Sequence, residues 1–199
     1  MQHCRALSAI WEQLVATSAL EWFGTVTGLV AVALSIRQHR AAWPLFIACY
    51  AAYAWLSADA KLFAAAAMNG VFVVLSIEGW RSWNNDDEAA IKPSGRGVWI
   101  SAGATWVGAS AALSILLFLS GRADAPWLDA GATAAGFVAQ WLLTRKYTAT
   151  WVFWLISDVL FMVLYGQAGF WLTVGLFGVF TGLAVHGLVS WRRGLEDSP

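Results

Sequence analysis

Charge is scarce in this chain. Lys, Arg, Asp and Glu make up 12% of its 199 residues, about half the roughly 25% of an ordinary soluble domain. Twelve basic and twelve acidic groups cancel, so no basic surface invites a nucleic acid. Cysteine is scarcer still. Cys4 and Cys49 cannot build a disulfide framework, and no ligand spacing ties them to His3, His39 or His186. No metal and no cofactor is therefore expected. No nucleophile–base pair stands out, which argues against an enzyme. The four prolines, Pro44, Pro93, Pro126 and Pro199, fall in loops, at helix starts or at the chain end, where proline is tolerated. The N-terminus lacks the basic stretch, apolar core and cleavage site of a removable signal peptide.

Apolar residues fill the remaining space. They make up 59% of the chain, with a mean hydropathy of +0.61. A soluble core of this size could not hide so much apolar surface. The apolar stretches lie at roughly 19–36, 41–58, 62–82, 97–120, 127–144, 149–166 and 168–191. Each is near the roughly 20 residues that cross a bilayer as a helix. The fold class is therefore an all-α polytopic membrane protein with seven transmembrane helices. Residues 1–17 read as an N-terminal segment lying at the interface, amphipathic over 6–17. Residues 84–96 are the polar linker.

Two parts of the chain repeat. Residues 18–83 align with 126–191 without gaps, at an offset of 108. Eighteen of the 66 aligned positions are identical, among them Thr25/Thr133, Gly28/Gly136, Arg37/Arg145, Trp43/Trp151 and Ser82/Ser190. Gly70-Val71-Phe72 returns as Gly178-Val179-Phe180, and each copy closes on Gly-x-x-x-Trp, Gly79 to Trp83 and Gly187 to Trp191. Matched Trp, Arg and Gly set this apart from chance agreement between apolar runs. Three spans leave the chain on the opposite side of the membrane. The unmatched span 97–120 restores its direction, so 18–83 and 126–191 become parallel triple-helix repeats, a 3+1+3 plan typical of transporters. Nine Lys and Arg (Arg37, Arg40, Arg81, Lys92, Arg96, Arg145, Lys146, Arg192, Arg193) fall on one side, against Arg5, Lys61 and Arg122 on the other. That bias puts the 84–96 linker and the 192–199 tail in the cytoplasm and the N-terminus outside.

Asp158 is the sharpest single residue. It falls near the middle of the sixth span, where an ionisable group costs at least about 2.5–3.5 kcal/mol and faces a cavity or a partner. A structural carboxylate bonded to a neighbouring hydroxyl is the competing reading. Trp151, Trp154 and Asp158 share a helical face by their spacing. Trp43, Phe46, Tyr50 and Tyr53 form the matching face in the first copy. Aromatic walls with one acid suit a planar cation. Packing and interfacial anchoring are the rival roles for the rings, Trp43 and Trp151 above all. Asn69 and Gln140 are amides inside spans. They either read polar groups of a ligand or bond between helices. The repeat pairs differ at Asn69/Phe177, Val32/Gln140 and Tyr50/Asp158, as two equal halves would around one unsymmetrical ligand.

At these residues the chain resembles the PnuC family of bacterial vitamin transporters, over about 18–193. The informative stretches are Met68-Asn69-Gly70, Glu78-Gly79-Trp80-Arg81-Ser82-Trp83, Gln140-Trp141-Leu142-Leu143-Thr144-Arg145-Lys146-Tyr147 and Trp151-x-x-Trp154. The resemblance implies a helix plan similar to SWEET sugar transporters, a homotrimer, and an inner-membrane location. It implies facilitated diffusion of nicotinamide riboside for NAD synthesis, with no ATP or ion gradient and with phosphorylation trapping the product inside. Related branches carry thiamine or other vitamins, which is the alternative cargo. Substrate would lie midway across the bilayer between the triple-helix bundles, with Trp151, Trp154 and Phe46 stacking the ring. Asp158 departs from the Asn expected in many relatives. Pro44 has Val152 as its repeat partner, so any proline hinge is one-sided. A seven-helix sensor is the remote alternative. A retinal protein needs a lysine in its last span, and 168–191 has none.

Overall fold

The computed structural model describes residues 15, 17–83, 90–120 and 125–196. The interfacial segment expected over 1–17 falls almost entirely outside them. Seven helices follow in order: α1 Ala19–Ile36, α2 Ala42–Asp59, α3 Phe63–Ser82, α4 Arg96–Ser120, α5 Pro126–Thr144, α6 Ala149–Gln167 and α7 Trp171–Glu196. Four of them, α1, α4, α6 and α7, are long and apolar enough by themselves to cross a membrane. The chain divides into two compact units, one holding α1–α3 and the other α4–α7. Within the first, α1 packs on α2 and α2 on α3. Within the second, α4 packs on α5, α5 on α6 and α6 on α7.

The helix ends repeat as closely as the sequence does. Gln38 and Lys146, 108 residues apart, both take a positive φ, 55° and 57°. Lys61 and Gly169, again 108 apart, take φ values of 60° and 79°. In the first pair the His39 and Tyr147 amides donate to the Leu34 and Leu142 carbonyls at 2.9 and 3.1 Å. In the second pair Leu62 and Phe170 donate to Ser57 and Tyr165 at 2.8 and 2.9 Å. These are Schellman closures, which consume carbonyls a helix end leaves open. Three of the four sites hold a residue other than glycine in the left-handed region, an uncommon choice. The same backbone reversals thus recur at the same repeat positions.

The helix starts differ between the copies. Ser18 caps α1 in a capping box: its hydroxyl accepts from the Glu21 amide at 3.2 Å, and Glu21 Oε2 accepts from the Ser18 amide at 2.6 Å. The equivalent start of α5 uses Pro126 in the first turn, where its missing N–H costs nothing.

In the second unit α5 is the most enclosed helix. Ala130, Gly131, Ala132, Ala134, Ala135, Gly136 and Ala139 are all buried. Such small residues let neighbouring backbones approach closely, which is how helices associate in lipid. The α4 helix, unmatched in the repeat, meets α5 where the Trp106 indole donates to the Gly131 carbonyl at 2.9 Å. Away from that contact α4 exposes Ile115, Leu116, Phe118 and Leu119, each more than 60% accessible. These suit acyl chains.

Residues 92–94 are laid against the α5–α6 turn. Lys92 donates to the Lys146 carbonyl at 2.9 Å and accepts from the Thr148 amide at 3.1 Å. The Ser94 hydroxyl accepts from the Ala149 amide at 2.8 Å, satisfying one open donor at the start of α6.

Candidate functional site

The repeated tryptophans and glycines form one motif in each unit. Trp43 lies at the start of α2 and is fully buried. Its ring sits directly on Gly79 of α3, so that a Cβ there would collide with it. Trp83, one turn on, meets Trp43 edge to face, with centroids 5.1 Å apart and planes at 87°. In the second unit Trp151 on α6 sits on Gly187 of α7 and meets Trp191 at 5.3 Å and 89°. Both arrangements have the edge-to-face geometry that the aromatic quadrupole favours. The indole N–H groups of Trp43 and Trp151 are buried without a hydrogen-bond partner among the described residues. An orphaned donor costs about 1–3 kcal/mol, so ring packing must outweigh it at both places. These tryptophans are thus enclosed between helices, which removes the interfacial-belt reading of Trp43 and Trp151.

From Trp43 the first unit continues as a column of rings. Phe46, 2% exposed, lies 5.9 Å from Trp43. Tyr50 stacks on Phe46 at 5.9 Å and 9°, and on Phe72 of α3 at 4.7 Å and 17°. One turn further, the Tyr53 hydroxyl and Thr25 Oγ1 share a hydrogen bond of 2.9 Å between α2 and α1. Asn69 lies on α3, one turn before Phe72, and is half-buried. Its amide nitrogen donates to the Ala65 carbonyl of its own helix at 3.0 Å.

The second unit departs from this column. Two hydroxyls fix the rotation of α6 on α5: Thr150 Oγ1 donates to the Ala139 carbonyl at 2.8 Å and Ser157 Oγ to the Ala132 carbonyl at 2.9 Å. With α6 so held, Trp151 is directed at α7. Trp154 packs instead against the buried cluster of Ala102, Ala135, Val138, Ala139 and Phe153. Residues three apart differ by about 60° around a helix of 3.6 residues per turn, enough to give the two indoles different neighbours. Asp158 lies seven residues beyond Trp151, about 20° off its direction, and is 4% exposed. Gln140 on α5 is fully buried. Past Asp158, Phe161 stacks on Phe177 at 5.0 Å and Tyr165 on Phe177 at 5.7 Å.

The nominated residues thus fall in two groups. Trp43, Phe46, Tyr50 and Asn69 belong to the α1–α3 unit; Gln140, Trp151, Trp154 and Asp158 belong to the α5–α6 hairpin. By spacing Trp151 and Trp154 share one side of α6; Trp151 meets Gly187 and Trp191 of α7, and Trp154 lies against the cluster that includes Ala135, Val138 and Ala139 of α5. Phe72 and the Trp83/Trp191 pair complete the ring contacts and were not nominated. Their signal was present in the repeat, in the triplet ending at Phe72/Phe180 and the closing Gly-x-x-x-Trp.

A family model described as nicotinamide mononucleotide transporter matches residues 18–193. The nicotinamide riboside transporters PnuC of Escherichia coli K12 and of Shigella flexneri are each 22% identical over 209 residues, covering 90% of this chain and 87% of theirs. The crystal structure of the vitamin B3 transporter PnuC superposes with a TM-score of 0.73 at 19% identity, covering 96% of this chain and 90% of that one. That likeness extends the fold to nearly the whole chain.

Proposed function

Because the chain belongs to the nicotinamide mononucleotide transporter family, we propose that it carries nicotinamide riboside into the cell, down the riboside's own concentration gradient. The observation that carries this reading is Asp158, a carboxyl almost fully enclosed at mid-span on α6. A cation lying against it would remove the cost of its burial. Nicotinamide riboside has a planar pyridinium ring with a fixed positive charge. Trp154, one turn from Asp158, offers the ring an indole face. Gln140 offers a donor and an acceptor to the carboxamide or a ribose hydroxyl. Trp43 and Trp151 serve as frame, each locking one helix hairpin.

The same chemistry favours the riboside over the mononucleotide. A phosphate calls for Arg or Lys. Among the described residues, Lys and Arg stand at helix ends or between helices, none at the depth of Asp158. The Asp158 carboxyl would repel the phosphate as it attracts the ring.

We read the protein as a multi-pass component of the bacterial inner membrane with a cytoplasmic C-terminus. The Lys and Arg excess beside Arg37, Arg81, Lys92, Arg145 and Arg192 supports that orientation. The parallel 3+1+3 plan is supported by the shared helix bounds and helix closures, and the homotrimer by family likeness. Calorimetry on purified protein tests the substrate. Nicotinamide riboside should bind saturably, with the mononucleotide weaker. Asp158→Ala should weaken riboside binding about tenfold or more, from roughly 1.5–3 kcal/mol for a charge-assisted contact. Thiamine, also a cation, is the comparator. Tighter binding of thiamine than of the riboside would assign the cargo to thiamine.

A further inference from the structure

The α1–α2 and α5–α6 turns close on matching hydrogen bonds, but their surroundings differ. In the first unit His39 and Arg40 are exposed. The Gln38, His39 and Ala41 amides there turn back onto the Ser35 carbonyl, the Leu34 carbonyl and the His39 ring. At the positions 108 residues on, Lys146 and Thr148 are buried. Their cover is the chain just ahead of α4. Lys92 pairs with Tyr147 in a single parallel β-bridge. Its amide donates to the Lys146 carbonyl, and its carbonyl accepts from the Thr148 amide. Ser94 Oγ takes the Ala149 amide and lies 3.2 Å from Thr148 Oγ1. Ile91, half-buried, reaches α7: a Cβ built on Gly194 would lie 3.5 Å from its Cδ1.

Both arms of this clasp lie outside the duplicated units. Residues 91–95 precede α4, which has no counterpart in the repeat. Gly194 lies past Ser190, the match of Ser82 where α3 ends, on the stretch by which α7 outruns α3. The scaffold is thus duplicated and the clasp is added to one copy. It ties the lead-in of α4 to the α5–α6 turn and to the end of α7. Elsewhere in the same unit Trp106 holds α4 to α5, while Thr150 and Ser157 hold α6 to α5.

Carriers built from repeats expose their site by moving one bundle against the other. The parts that move are drawn from segments with few buried contacts and exposed backbone hydrogen bonds. By that measure movement belongs to the α1–α2 turn. Resting on the reading of the chain as a riboside carrier, we propose that residues 91–95 clasp α4–α7 into one rigid body, so that the cytoplasmic end opens through the α1–α2 hairpin. The clasp stays shut throughout the cycle. It sets which half of a nearly symmetric carrier moves.

Two measurements on the full chain test this. In the first, Ile91→Cys and Gly194→Cys are joined by a short thiol-to-thiol linker, in a chain whose Cys4 and Cys49 are replaced by alanine. Mass spectrometry reads the joining, and radiolabelled nicotinamide riboside uptake into proteoliposomes reads transport. The linked protein should take up label at the rate of the same protein before linking. In the second, hydrogen exchange is followed with and without riboside. Without it, the Lys92, Thr148 and Ala149 amides should exchange about tenfold or more slowly than those of His39 and Ala41. Riboside should change exchange at His39 and Ala41 and leave the clasp amides as they were. Loss of uptake on linking, or failure of the two cysteines to join, overturns the clasp and leaves the cargo reading standing. So does riboside that alters the clasp amides and not the α1–α2 turn. No uptake by the wild type or the unlinked protein overturns the cargo reading, and the exchange contrast without riboside then decides the clasp alone.

Discussion

Gly187→Ala probes the tryptophan frame of the second unit. A Cβ built on Gly187 would lie 2.6 Å from Cδ2, Cε2 and Cε3 of Trp151. Favourable carbon contacts begin near 3.5 Å, so the ring would have to retreat by about 1 Å. Its retreat is blocked. Trp151 is 1% exposed, and Trp191, itself fully buried, stands edge-on to it. Forcing a methyl into such packing costs about 1–3 kcal/mol. At roughly 2–4 °C per kcal/mol for a chain of this size, Tm should fall by about 2–12 °C. Thermal unfolding of the detergent-solubilised protein measures this. Gly178→Ala is the control, since a Cβ there meets nothing within 4 Å; it should leave Tm level or raise it, as alanine is the better helix former. In a Trp151→Leu background the Gly187→Ala penalty should shrink toward zero, because its obstacle is gone. A Gly187→Ala protein with unchanged Tm, or an equal loss in both backgrounds, would refute the frame.

Other outcomes follow from single contacts. Thr150→Val and Ser157→Ala each remove a hydroxyl that ties α6 to α5; each should cost about 1 kcal/mol, read as lower Tm. Tyr53→Phe removes the α1–α2 hydrogen bond to Thr25 and should cost about 0.5–1.5 kcal/mol, while Thr133→Val, whose only repeat counterpart to Tyr53 is Phe161, breaks no such bond between helices. Ser94→Ala should speed hydrogen exchange at Ala149, where its hydroxyl accepts the amide.

Much of this fold is written in the apolar runs. A 20-residue stretch without charge has few ways to fold in a bilayer, and the 108-residue offset lends each helix the evidence of its mate. The last helix starts later than the 168 expected from hydropathy. Gly169 takes a positive φ and the Phe170 amide closes α6 onto Tyr165, so α7 begins at Trp171. It then runs on to Glu196, because hydropathy marks where a helix is apolar and not where its hydrogen bonds stop. The site was legible residue by residue but not in its contacts. Asp158 stands out in any reading of its span. Which neighbours Trp151 and Trp154 meet depends on the rotation of α6, and that rotation is set by Thr150 and Ser157, two hydroxyls with no mark in a hydropathy pattern. Gly79 and Gly187 stand out in the sequence only as repeated positions; the structure lays a tryptophan against each.

The most direct measurement of the account is the flux of radiolabelled nicotinamide riboside into vesicles carrying the purified protein. Saturable uptake is predicted, displaced by unlabelled riboside more readily than by the mononucleotide and reduced by Asp158→Ala. Entry no faster than into protein-free vesicles would contradict it.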